Sequence, residues 1–124
     1  MSMIKRFDRL DIATSDPADA AASYERNFGF AIRRPSGSTD ATIAIGDAEI
    51  RLRSGPSVAE VIAATGEGLA AVWLEAEDVG EVAAALKAAG IAFVAPRIEG
   101  DRRILEVDAK AANMVPLLIF DRRV

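Results

Sequence analysis

The sequence predicts an α+β fold of two βαβββ modules, their strands forming one curved mixed sheet with the helices on its outside. Three observations carry this expectation. The order strand, helix, three strands can be read in the first half and again in the second. Each helix opens on a capping aspartate and closes on a glycine at nearly the same spacing, Asp16 to Gly29 and Asp78 to Gly90. Neither copy can bury both a sheet and a helix alone, so two have to pack together. The modules are set at residues 4–54 and 68–122, joined by a Gly-rich connection at 55–67, within a single domain spanning 1–124.

In the first module "FDRLDIAT" alternates polar Asp8, Arg9 and Asp11 with apolar Leu10 and Ile12, the period of a half-buried strand. Asp16 then Pro17 make an N-cap and first-turn pair, because the carboxylate accepts free amides while proline has no amide to orphan. The helix is expected from about Pro17 to Asn27, with Ala21, Tyr24 and Phe28 on one face. Extended stretches follow at 30–34, 41–45 and 48–53, the last two joined by a tight Gly46-Asp47 turn. The connection carries one short helix around Val58 to Ala64. In the second module "LAAVWLEA" is a strand, and Asp78 with Glu81 spells a capping box for a helix bearing Val79, Val82, Leu86 and Ala89. Strands are expected again in "IAFVA", "RRILEV" and "MVPLLIF". A ferredoxin-like fold shares this grammar but has two strands per helix, leaving "AEIRLR" and "MVPLLIF" unexplained.

Composition narrows the chemistry. The 124 residues are 51% hydrophobic and 27% charged, as in a folded domain with a real core. Net charge is −4 and the pI near 4.8, and Lys and Arg nowhere cluster with aromatics, so nucleic acid is not expected as a partner. "MSMIKRFDRL" lacks the apolar core of a signal peptide and no apolar run could span a bilayer, giving the expectation of a cytoplasmic protein without a membrane partner. Cysteine and histidine are absent, which removes disulfides, thiolate nucleophiles, Ser-His-Asp triads and zinc sites built on His or Cys. An all-carboxylate magnesium or calcium site is the one metal site composition leaves open. Gly46-Asp47 does not sit between a strand and a helix, so no phosphate loop is read there.

With "SDPADAAASYERNFGF" in the first module, "AEDVGEVAAALKAAGIAF" in the second and an "NMVPLLI" ending, nearly the whole chain resembles the vicinal oxygen chelate superfamily. That superfamily includes glyoxalase I, methylmalonyl-CoA epimerases, extradiol dioxygenases, fosfomycin-resistance enzymes and bleomycin-resistance proteins. The resemblance implies the glyoxalase/bleomycin-resistance fold and, in catalytic members, a divalent metal held by the first and last strands of each module. Those positions fall here on Arg9, Ala71, Arg51 and Leu118. Arginine stays protonated and has no acceptor, and alanine and leucine have no donor atoms, so the expectation is a divergent member with no metal and no cofactor.

Strand alternation gives the concave face independently. If Leu10, Ile12, Ile50, Leu52, Val72 and Leu74 point at the helices, then Arg9, Asp11, Ala13, Glu49, Arg51, Arg53, Ala71, Trp73 and Glu75 point the other way. Read as a ligand pocket, Arg9, Arg51 and Arg53 offer guanidinium forks to an anion, Trp73 offers an apolar wall, Asp11 and Glu75 orient the ligand or the arginines, and Leu118 lines the site. Read structurally, the same residues are an internal ion-pair cluster filling the space of a lost metal, and Trp73 is a core residue. Tyr24 is read as core. The "DRR" triplets at 101–103 and 121–123 are read as solvated charge.

The leading functional expectation is a metal-free, homodimeric protein that binds a small anionic or amphipathic organic molecule in the concave cavity. One alternative is a metal-independent isomerase or lyase. There the arginines stabilise an enolate-like intermediate, and Asp11, Glu49 or Glu75 moves the proton. The other is a ligand-free dimeric interaction module.

Overall fold

The computed structural model describes residues 3–34, 36–112 and 114–123. Along the chain run β1 (Ile4–Ala13), α1 (Pro17–Phe28), β2 (Ile32–Arg33), β3 (Ala41–Ile45), β4 (Ala48–Arg53), α2 (Pro56–Thr65), β5 (Gly68–Ala76), α3 (Val79–Ala88), β6 (Phe93–Glu99), β7 (Arg102–Val107), a 3-10 turn (Ala109–Ala112) and β8 (Leu117–Asp121). The βαβββ order therefore occurs twice, as expected of an α+β chain with this repeat. Asn113, which opens the "NMVPLLI" ending, lies outside the described residues.

The chain divides into two compact units, a continuous one, Arg9–Ala70, and a composite one, Met1–Asp8 with Ala71–Val124. In the continuous unit the strand order is β2-β3-β4-β1, antiparallel except for the parallel β1/β4 pair that the α1 crossover requires. One face carries Ile12, Ile43, Ile50 and Leu52 against Ala21 and Tyr24 of α1. Elsewhere α2 lays Val58, Val61 and Ile62 on Ala13 and Ala70. In the composite unit the order is β5-β8-β7-β6, again with one parallel pair, β5/β8. There α3 packs Val79 and Val82 onto Leu74, Ala76, Leu105 and Ile119.

The helix ends are built as the sequence implies. The Asp16 carboxylate accepts from the Asp19 amide, Pro17 follows, and Gly29 in the left-handed region returns its N–H to the Glu25 carbonyl. Asp78 caps α3 through the Gly80 amide. The C-terminus of α3 is a Schellman motif: Ile91 N–H bonds to the Leu86 carbonyl and Gly90 N–H to the Lys87 carbonyl, with Gly90 at φ 74°. Phe28 and Ala89 differ from expectation. Phe28 is exposed at the last turn of α1, where its ring meets those of Tyr24 and Phe30, and Ala89 is exposed just beyond the last helical residue of α3.

Strands depart from the expected ranges where sequence punctuation misleads. Strands β3, β4 and β7 match the expected ranges. In place of 30–34, β2 pairs only Ile32 and Arg33 with β3, because Phe30 turns into the aromatic group of α1. Pro96 does not end β6, because proline is tolerated on a strand with one open side; a register irregularity between Val94 and Arg97 absorbs it. In place of 114–120, β8 begins at Leu117, after a 3-10 turn and Met114 at φ 65°. Burial along β1 alternates on even numbers to Asp8 and on odd numbers from Arg9, so two adjacent residues are both buried there.

Two of the charges read as solvated are held in an ion pair, and one of them is buried. The Asp121 side chain is 1% exposed, and its carboxylate accepts from both Nε and Nη2 of Arg103, from the Val79 amide at 2.6 Å and from the Arg123 amide at 3.1 Å. Arg103 also bonds Asp78 at 3.1 Å, so strands β7 and β8 are tied to the start of α3. The triplets hid this because sequence does not show that Asp121 ends an inward-facing strand. Burial alone would push the Asp121 carboxyl up, but the Arg103 and amide hydrogen bonds outweigh it and hold the group below its ordinary 3.8, at about 2.

Because the folded value is depressed, the stability Asp121 contributes is complete above its ordinary value and drains away as pH falls through 3.8 towards about 2. Replacing Asp121 with Asn should cost about 2 kcal/mol at neutral pH and flatten the loss of stability in that acid window, measured by urea unfolding across pH. At the Schellman turn a Cβ on Gly90 would meet nothing within 4 Å, so Gly90→Ala isolates the conformational penalty. Thermal unfolding should show a loss of about 1 kcal/mol.

Candidate functional site

On the face of the continuous unit turned away from α1, β1 and β4 run parallel with Arg9 opposite Glu49, Asp11 opposite Arg51 and Ala13 opposite Arg53. That register collects five charged side chains. Asp11, 1% exposed, is their hub: its Oδ1 accepts from Arg9 Nε at 3.0 Å and its Oδ2 from Arg53 Nη1 at 3.3 Å. Arg53 extends on to Asp40 at 3.8 Å, whose carboxylate accepts from the Ser54 amide. Arg9 is itself buried. A buried carboxylate between two guanidiniums satisfies the condition under which charge can be taken out of water.

Towards the β2 end of the same sheet the charge pattern opens. Arg51 Nη2 donates to Glu49 Oε1 at 2.8 Å, and Arg33 lies 3.7 Å from the other Glu49 oxygen. Arg33, Arg34, Thr42, Glu49 and Arg51 line a cleft of about 440 Å³. Among the described residues Arg34 has no carboxylate partner. A second cleft, of about 410 Å³, is bounded by Ser15, Asp16, Ser38, Thr39, Asp40 and Ser54, and Arg34 lines both.

The remaining residues expected at the site lie in the composite unit. Trp73 is 7% exposed and packs edge-on against Phe120, with Ala71, Ile104 and half-buried Leu118 around it. Its surroundings are those of a core residue. Glu75, buried, accepts from Arg6 Nε at 2.8 Å, with Lys5 and Arg122 each 3.9 Å away, and Arg6 also bonds Asp8. The guanidiniums of Arg102 and Arg122 lie over the Phe120 ring at 4.3 and 5.6 Å.

The structure thus groups Arg9, Asp11, Arg51 and Arg53 on one sheet face, and Trp73, Glu75 and Leu118 on one face of the other unit. Arg33, Arg34 and Thr42 were not singled out from the sequence. Arg33 and Arg34 both lie within the extended stretch expected at 30–34, to which no inward face is assigned, although the doublet "RR" before Pro35 is a visible signal. The four positions where the resemblance would place a divalent metal do not fit one. Arg9 and Arg51 face their neighbours as hydrogen-bond donors, and Ala71 and Leu118 present only carbon. Among the described residues no three Asp or Glu side chains gather to replace them.

A family model described as the Glyoxalase/Bleomycin resistance protein/Dioxygenase superfamily matches residues 6–104. Among solved structures, methylmalonyl-CoA epimerase from Mycobacterium tuberculosis superposes with a TM-score of 0.79 at 20% identity, over 100% of this chain and 92% of the other. A variant of the Streptomyces coelicolor methylmalonyl-CoA epimerase in complex with 2-nitronate-propionyl-CoA gives 0.73 at 21% identity, over 98% and 99%. A hypothetical protein from Bacillus halodurans C-125 gives 0.78 at 18%, over 96% and 95%. At these identities the likeness is one of fold. No curated protein matches the sequence.

Asp11 is the acceptor that two arginines share. Substituting it with Ala should lower unfolding stability by about 3 kcal/mol, read from urea titrations, because the guanidiniums lose a buried counter-charge. A loss under about 0.5 kcal/mol, the range of ordinary surface changes, would mean the cluster holds nothing together.

Proposed function

Because the chain belongs to the glyoxalase/bleomycin resistance protein/dioxygenase superfamily, we propose that it binds a small anionic organic molecule, without a metal, in the arginine-lined cleft of Arg33, Arg34 and Arg51. The observation carrying this reading is that three arginines and Thr42 line one cleft with a single acidic residue, Glu49. Formal charge there sums to a local excess of two positive charges in a chain whose net charge is −4. A dianion, such as a dicarboxylate or an organic phosphate, matches that excess, and planar guanidinium forks suit either group. The cleft volume lies within the range of small-molecule sites. A protein of the same fold holds 2-nitronate-propionyl-CoA, itself an anionic organic ligand.

In this reading Arg51 contacts the ligand, while Arg9, Asp11 and Arg53 hold the strands that present it. Trp73, Glu75 and Leu118 serve packing and charge balance in the other unit. Binding is favoured over turnover because the carboxylates that would have to move a proton are already engaged. Asp11 accepts from Arg9 and Arg53, Glu49 from Arg51, and Glu75 from Arg6.

Titration calorimetry with malonate, succinate, phenyl phosphate and a cationic amphiphile tests this reading, beside elemental analysis of the purified protein. A dianion should bind with an affinity that falls as salt rises, and Arg34→Ala and Arg51→Ala should each weaken it about tenfold with the fold intact by circular dichroism. Dianion binding that ignores both variants, or preference for the cation, refutes the cleft. A stoichiometric divalent metal refutes the metal-free reading.

A further inference from the structure

The second cleft of the continuous unit has no role in binding a dianion, yet Arg34 connects it to the arginine cleft by lining both. The two linings differ in chemistry. Around the first, Arg33, Arg34 and Arg51 outnumber Glu49; around the second, Asp16 and Asp40 outnumber Arg34. Four hydroxyl side chains, Ser15, Ser38, Thr39 and Ser54, complete the second lining, and its only apolar side chains are Pro17, Ala18 and Ala41. Those three are small and offer little surface to an aryl ring or an alkyl tail.

Hydrogen bonds already hold these groups in place. Ser38 Oγ accepts from the Asp40 amide at 3.1 Å, the Asp40 carboxylate accepts from the Ser54 amide at 3.3 Å, and the Thr39 and Ser54 hydroxyls share a hydrogen bond at 3.2 Å. Asp16 is fixed by the Asp19 amide at 3.0 Å. Capacity is left over, because a hydroxyl has one proton and two lone pairs and a carboxylate has about four acceptor positions. A lining that both donates and accepts, ordered before a ligand arrives, suits alcohol groups, which do the same. Its two carboxylates against one guanidinium oppose a second anionic group.

Building on the dianion-binding reading, we propose that the ligand is the phosphate monoester of a sugar or other polyol. Its phosphate lies among Arg33, Arg34 and Arg51, and its hydroxyls lie past Arg34 against Ser38, Thr39, Asp16 and Asp40. A guanidinium carries five N–H donors, so Arg34 serves the phosphate on one side and a hydroxyl oxygen on the other. The ligand is thus charged at one end and hydroxylated at the other.

Calorimetric titration of the full chain with phenyl phosphate, glycerol 3-phosphate, ribose 5-phosphate and glucose 6-phosphate tests the proposal, because the four share the dianion and differ in what carries it. At least one hydroxylated ester should bind about tenfold more tightly than phenyl phosphate. Ser38→Ala and Asp16→Asn, the second keeping a good helix cap, should each weaken that ester about threefold without weakening phenyl phosphate, the fold staying intact by circular dichroism. Arg34→Ala should weaken all four. Phenyl phosphate binding as tightly as every hydroxylated ester overturns this inference and leaves the dianion reading standing, as do Ser38 and Asp16 variants that spare the ester or weaken phenyl phosphate equally. No binding of any of the four overturns both.

Discussion

The hydrogen-bonded charge of Asp11 is the interaction on which the polar face of the continuous unit depends. Asp11 is 1% exposed, and leaving its carboxylate there uncompensated would cost more than most single interactions return. Arg9, two residues along the same strand, and Arg53, on the parallel neighbour, supply the compensation. Because Arg53 belongs to β4, the pairing also fixes register. A slip of one residue would carry Arg53 to the face packed against α1 and expose Leu52. With that register set, Arg51 and Glu49 fall where the sheet opens towards β2, and the cleft follows from the same alignment that secures the core.

The two modules share their grammar and differ in what they place on the face away from their helix. Both helices begin on an aspartate and end at a glycine with positive φ. The odd-numbered residues of Arg9 to Ala13 are Arg, Asp and Ala, whereas those of Ala71 to Glu75 are Ala, Trp and Glu. In the first module charge pairs with charge; in the second Trp73 and Phe120 pack edge-on with Ile104. Repetition therefore constrains the backbone and leaves the face chemistry free. Function has to be read from side chains, not from the fold.

Local signals made the helices legible. Asp16-Pro17 and Asp78 mark starts and Gly29 and Gly90 mark stops because capping is settled within one turn of chain. The strands "ATIAI", "AEIRLR" and "RRILEV" were equally plain, being short, alternating and bounded by turns. What sequence did not reveal depends on partners distant along the chain. Asp121 and Arg103 look like surface charge until β7 and β8 are paired and set against α3. Strand parity placed Arg9, Asp11, Arg51 and Arg53 on one face, but alternation does not tell a guanidinium that holds a strand from one that faces a cleft. Arg33 and Arg34 lay in the stretch read as extended at 30–34, but nothing local showed that they would border a cleft with Glu49 and Arg51 of a strand further along the chain.

An arginine where the resemblance would place a metal ligand asks something different of a ligand. A divalent cation accepts directed lone pairs and tolerates neutral carbonyl or hydroxyl oxygens, so a metal site selects chelating geometry. A guanidinium never loses its proton and donates through a planar fork, so it selects formal negative charge and two acceptor atoms in one plane. Glu49 sharpens that choice. It already occupies Arg51, so a ligand has to offer the cleft more than the carboxylate it displaces, and a weakly basic or singly charged group gains little by exchange. Arg34, with no carboxylate partner among the described residues, gives such a ligand a first contact that costs no existing ion pair.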